Sequence, residues 1–185
     1  MNKKPIYKRK WFIAIIVFVV LSVAFGGGES SSKTKSSPTK SEKSVEVSEK
    51  TCQMGDLLTV GKMEYRVLNK TLVTELGTKY LNKKAQGVYL LLNIEITNRS
   101  NRAVTVSDDF FKLKNNGKTY ETSDDASIYL GDKSIIFKEV NPDTTLKGQI
   151  CFDLNTTVAN DNNNILEVQT GIWGTEKGSI ALKKA

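Results

Sequence analysis

The stretch "GVYLLLNIEITNRS", residues 87–100, decides the fold. Val88, Leu90, Leu92, Ile94 and Ile96 fall on one side of an extended chain. Tyr89, Leu91, Asn93, Glu95 and Thr97 fall on the other. A period of two is the pattern of a strand with one face on a core and the other half open. Asn98-Arg99-Ser100-Asn101 ends it with turn-forming residues.

Working outward, the same pattern recurs in short pieces. Upstream, "DLLTVGKMEYRVLNKTLVTEL" (56–76) supplies two strands. Downstream come "AVTV" (103–106), "FFKLKN" (110–115) and "KTYETS" (118–123), the last two joined by "NNGK", in which Asn116-Gly117 suits a tight hairpin turn with positive φ. "SIIFKEV" (134–140) reads as a further strand. "NPDT" (141–144) reads as a turn with Pro142 preset at its second position. "QICFDL" (149–154), "NILEVQTGIW" (164–173) and "GSIALKK" (178–184) complete the set. The one helical candidate is "DDASIYL" (124–130), about two turns long. Seven to nine short strands at regular spacing predict an all-β sandwich or barrel over residues 51–185. A domain of that length buries about two-thirds of its unfolded surface, enough for a core of its own.

The order and spacing of several of these pieces carry a resemblance. Gly55-Asp56 leads into the first strand, and the long strand ends in Asn98-Arg99-Ser100 before the Val-rich "AVTV". Phe111 and Leu113 precede the Gly117 turn and Tyr120. Asn141-Pro142 stands a few residues ahead of Gly148, Phe152 and Asp153. Over residues 53–155 the chain resembles the DUF4352 family of Gram-positive envelope proteins. The resemblance implies an immunoglobulin-like antiparallel β-sandwich, similar to that of immunoprotective extracellular antigens, at the cell surface. Asp143 is a departure, because the family often has Gly after the proline. The family brings no reaction and no catalytic residues.

Charge is unevenly distributed. Of a formal net +7, five charges come from Lys3, Lys4, Lys8, Arg9 and Lys10, with no acid among them. Residues 26–50 add one, and residues 51–185 carry the remaining one. The folded part therefore has no electrostatic footprint for a phosphate backbone, and a nucleic-acid partner is not expected. The basic segment 1–10 directly precedes an apolar run over 11–28. That run is at the upper limit of a signal-peptide h-region and the lower limit of a bilayer span. Tyr7 and Trp11 at its inner boundary and the adjacent cations favour a retained single-pass anchor with the C-terminal domain outside. Ser22-Val23-Ala24 is a passable cleavage site, so secretion after Ala24 is the alternative. Residues 29–50, rich in Ser, Lys and Glu, read as a tether that cannot bury enough apolar surface to fold.

The chain contains no histidine. This excludes His-based general bases, Ser-His-Asp and Cys-His nucleophilic systems and the usual zinc sites. No cofactor is expected. The two cysteines, Cys52 and Cys151, in an exported domain predict a disulfide. With Ile150, Phe152 and Leu154 facing inward, Cys151 is expected on the outer face, within reach of the segment carrying Cys52. The bridge would close a loop of about 100 residues and contribute about 4–5 kcal/mol in the chain-entropy model. Two free thiols are the competing expectation. The acidic pairs Asp108-Asp109 and Asp124-Asp125 follow Ser107 and Ser123 and read first as caps at a strand end and a helix start. They are also the only candidates for a Ca²⁺ site or for a hydrolytic carboxylate pair. Trp173 and Tyr129 read as packing residues before they read as a binding patch.

The function expected from the sequence is a non-enzymatic, membrane-anchored surface module. Its partner would be an extracellular protein or an envelope polymer. The alternatives are an envelope-polymer hydrolase and a structural accessory subunit of a membrane complex.

Overall fold

The computed structural model describes residues 50–170 and 176–183. The basic segment, the apolar run, the tether up to residue 49 and Trp173 lie outside them. Among the described residues no helix is long and apolar enough to cross a membrane.

Among the described residues eleven strands and two short α-helices follow one another: β1 (Lys50–Gln53), β2 (Leu58–Val60), β3 (Met63–Gly77), β4 (Asn82–Asn98), β5 (Val104–Thr105), β6 (Phe111–Asn115), β7 (Lys118–Glu121), α1 (Asp124–Leu130), β8 (Glu139–Val140), β9 (Thr145–Leu154), α2 (Thr156–Ala159), β10 (Ile165–Gln169) and β11 (Lys177–Ala181). One sheet has the order β1-β11-β10-β6-β7 and the other β2-β3-β4-β9, while β5 and β8 form a small ladder of their own. All pairings are antiparallel except β1 with β11. β1, which begins at the last residue assigned to the tether, is the one strand that the sequence pattern did not place.

The main core lies between the sheets. Val88, Leu90, Leu92, Ile94 and Ile96 of β4 are all buried there, as the alternation predicts. Ile150, Phe152 and Leu154 of β9 join them, and Phe111, Leu113, Leu166 and Val168 close the core from the other sheet. Tyr65 of β3 spans the layers: its ring meets Phe111 edge-on and its hydroxyl donates to the Gln169 carbonyl at 2.8 Å. Residues 46–185 form a contact unit separate from the first 45. With its own continuous core, this unit has what independent folding requires.

The turn chemistry follows the sequence. Asn116 and Gly117 both take positive φ in the β6–β7 hairpin. Asp143 takes φ of 57° after Pro142, and the Thr144 amide donates to the Asn141 carbonyl at 3.2 Å. Asp thus adopts the left-handed conformation that Gly serves elsewhere, as Asx residues can. Asn98 is fully buried; its amide donates to the Arg102 and Val140 carbonyls and its Oδ1 accepts from the Ser100 amide.

Two local expectations fail. "SIIFKEV" is not a strand. Ile135 and Ile136 are buried by a turn laid over β9, with the Ile135 amide donating to the Gln149 carbonyl and the Lys138 amide closing onto the Ile135 carbonyl at 3.2 Å. Only Glu139 and Val140 stay extended. The outer face of β4 is not simply half open either. Tyr89 and Leu91 are buried with Leu76 and Cys151 beneath Ala126 and Leu130 of α1, which makes a second apolar cluster.

Candidate functional site

Helix α1 and the turn after it carry the site. Asp124 and Asp125 occupy the first turn of α1, and Asp108 and Asp109 open a 3-10 turn ahead of β6. The acids sit where helix dipoles favour them. Neither Ser107 nor Ser123 donates or accepts a capping bond from its side chain, although Ser107 Oγ donates to Asp108 Oδ1 at 2.8 Å. The fold brings the two pairs into electrostatic range. Burial and the carboxylates of Asp108, Asp125, Asp109 and Glu121 raise Asp124 above the ordinary carboxylate value. Asp125 moves the other way, held down by a 2.7 Å bond from Lys83 Nζ. Among the described residues no three His, Cys, Asp or Glu side chains are arranged to hold a metal ion.

Beside Asp124 lies a cavity of about 210 Å³, walled by Ser127, Ile128, Gly131, Ile136, Phe137 and Lys138. Its rim breaks two rules at once. Ile128 and Phe137 are large and apolar yet 73% and 75% exposed. Phe137 also takes φ of 63°, a genuine outlier for a bulky residue. The backbone around it is pinned: its amide donates to Val106 at 2.8 Å, and Lys138 Nζ donates to the Asp132 carbonyl at 2.6 Å. A strained backbone thus holds a phenyl ring out in water beside an apolar pocket with an acidic side. Such an arrangement can seat an apolar group next to a cation. It has one carboxylate, not a pair. Tyr129 is half-buried against the second cluster and takes no part in the rim.

The predicted bridge is not present, because Cys52 and Cys151 are both free thiols. Cys52 lies in β1, opposite Ile180, and packs on the main core. Cys151 does alternate to the outer face of β9, but that face is covered by α1. β1 packs near β2, and β9 is the far edge strand of the β2-β3-β4-β9 sheet. Three strand spacings, about 14 Å, separate β2 from β9, against the Cα separation of about 4.4–6.8 Å that a disulfide requires. Burial, with Asp153 nearby, pushes the Cys151 thiol up to about 12, and burial with Asp56 raises Cys52. Neither has the depressed pKa of a reactive thiol.

Sequence reasoning did not find Phe137. Its neighbours "SII" look like core, and nothing local marks a turn with positive φ there.

A family model described as a domain of unknown function, DUF4352, matches residues 52–178. The chain belongs to this family. A comparison with curated proteins finds no match. Among solved structures, the yjhA protein of Bacillus subtilis is similar with a TM-score of 0.54 at 11% identity, over 71% of this chain and 98% of that one. MPT63, a secreted protein of Mycobacterium tuberculosis, is similar with a TM-score of 0.52 at 15% identity, over 74% and 98%. A functionally unknown protein of Listeria monocytogenes is similar at 0.50 and 14%, over 72% and 84%. At these identities the likeness is one of fold, a β-sandwich.

Proposed function

We propose that the chain is a non-enzymatic binding module displayed outside the cell membrane. In this reading residues 11–28 anchor it, residues 29–49 tether it, and an immunoglobulin-like sandwich presents the rim of Ile128 and Phe137 to a protein partner. The observation that carries the reading is Phe137. A residue held at positive φ costs about 1–3 kcal/mol, and its ring gains little burial in return. Strain retained in order to expose an apolar ring is expected at a contact surface. The neighbouring Asp108, Asp109 and Asp124 favour a partner with a basic margin. The secreted character of MPT63 supports an extracytoplasmic setting. A glycosidase is disfavoured because Asp124 is the one carboxylate lining this cavity, and the usual glycoside hydrolysis uses two.

The test is photo-crosslinking on intact cells, with a photoreactive phenylalanine analogue at position 137 of the full chain. Discrete adducts are expected there and none from the same analogue at exposed Lys62. No adduct at 137, or identical adducts at both positions, overturns the reading.

A further inference from the structure

The β3–β4 hairpin runs on to the Gly77–Asn82 pair, past Val88, where the pairing of β4 with β9 ends, with register shifts at Val67/Asn69 and Val73/Glu75 along it. Its apex is hydrogen-bonded. The Thr78 amide donates to the Leu81 carbonyl at 2.8 Å, and the Tyr89 hydroxyl donates to the Lys84 carbonyl at 3.1 Å. On this braced loop Tyr80 is 92% and Leu81 62% exposed. Lys79 stands 6.0 Å from the Tyr80 ring centroid. From Gly77 to Gly87 the chain carries Lys79, Lys83 and Lys84 and no acid. Lys83 is taken by Asp125, and Glu75 sits opposite Lys84 in the ladder, so the excess charge concentrates at the outermost end.

We propose that this apex docks on an anionic phospholipid surface, with Tyr80 and Leu81 entering the interfacial layer and Lys79 meeting headgroup phosphates. Charge complementarity selects an anionic partner. The apolar pair selects lipid over a soluble polyanion: phosphates in solution would engage the lysines and leave Leu81 in water. A bilayer boundary takes up both, since aromatic rings prefer that layer and lysine stems reach from it to the headgroups.

The reach is adequate. Lys50 pairs with Gly178, and Gly178 faces Leu58 and Val60, the partners of Tyr65 and Met63. The chain thus enters level with the start of β3, about 45 Å from the apex at the rise of a strand. Residues 29–49, fully extended, span about 70 Å. The apex can therefore touch the membrane that residues 11–28 are read to enter. That setting rests on the proposed anchor, whereas the docking itself does not involve Phe137.

The test is vesicle flotation of the 46–185 domain. It should float with vesicles containing phosphatidylglycerol and not with pure phosphatidylcholine, and less so as salt rises. At about 1 kcal/mol per lysine near an anionic surface, K79Q should bind about 5-fold more weakly. Y80S/L81S should also lose binding while melting at the wild-type temperature. No flotation, or flotation unchanged by K79Q, overturns the proposal. So does equal binding of wild type and Y80S/L81S, with inorganic polyphosphate competing, because that outcome marks a soluble polyanion site. Crosslinking at Phe137 reads a different surface, so either proposal can fail alone.

Discussion

Replacing Phe137 by Ala and by Gly separates what the ring contributes from what the backbone costs. Both changes delete the ring. With three-quarters of it in water, the buried part is about 50 Å², worth about 1 kcal/mol. Phe137→Ala keeps a Cβ at φ of 63° and should therefore cost about 1 kcal/mol, well below the 3–5 kcal/mol of a core Phe→Ala change. Phe137→Gly loses the same contacts but removes the left-handed penalty of about 1–2 kcal/mol, against about 0.4–1 kcal/mol of added unfolded-state entropy. Gly should thus be more stable than Ala by roughly 0.5–1 kcal/mol and close to wild type. In urea unfolding of the 46–185 domain this separates the two midpoints by about 0.5 M at an ordinary m-value. A Gly variant less stable than the Ala variant would refute the strain. An Ala variant costing 3 kcal/mol or more would make the ring a packing element.

Counting thiols in denatured, unreduced protein should give two per chain, and native Cys151 should alkylate far more slowly than Cys52. Cys151→Ser puts a hydroxyl into an apolar cluster and should cost about 1–3 kcal/mol, adding to a smaller Cys52→Ser effect, whereas a bridge would make the double change no worse than one. Asp124 holds its proton more tightly folded than unfolded, so it withdraws stability as pH rises from about 3.8 through its raised folded value. Asp124→Asn should accordingly stabilise by a few tenths of a kcal/mol at pH 7, with the gain shrinking in high salt and vanishing near pH 3 in thermal melts. A Cβ on Gly148 would stand 2.5 Å from the Lys133 carbonyl oxygen and 2.6 Å from Ile135 Cγ2. Gly148→Ala should therefore cost about 1–3 kcal/mol and weaken crosslinking at 137 by lifting the turn that presents it; unchanged stability and adducts would mean the turn does not bear on β9.

What the sequence disclosed was whatever the local backbone decides. Alternation in 87–97 placed five side chains of β4 in the core, Asn116-Gly117 placed a hairpin turn, and "DDASIYL" placed a helix over the residues that form α1. What it concealed depends on which piece covers which face. Cys151 was assigned to the correct side of β9, but period two says nothing about α1 lying across that side, so a buried thiol was read as an exposed one. "IIF" is three apolar residues in a row, and burial alone does not distinguish a strand from a turn pressed against a strand edge. Neither surface proposed for binding was legible, for one common reason. Phe137 and the Tyr80-Leu81 pair are apolar residues left in water, and patterns of burial assign every apolar residue to a core. Local rules and tertiary structure agree across the sandwich and part at these two places. At the first, backbone strain accompanies the exposure, and at the second, an exposed lysine beside the Tyr80 ring does. A stray surface residue needs neither, so the disagreement at each place points to a contact made outside the chain.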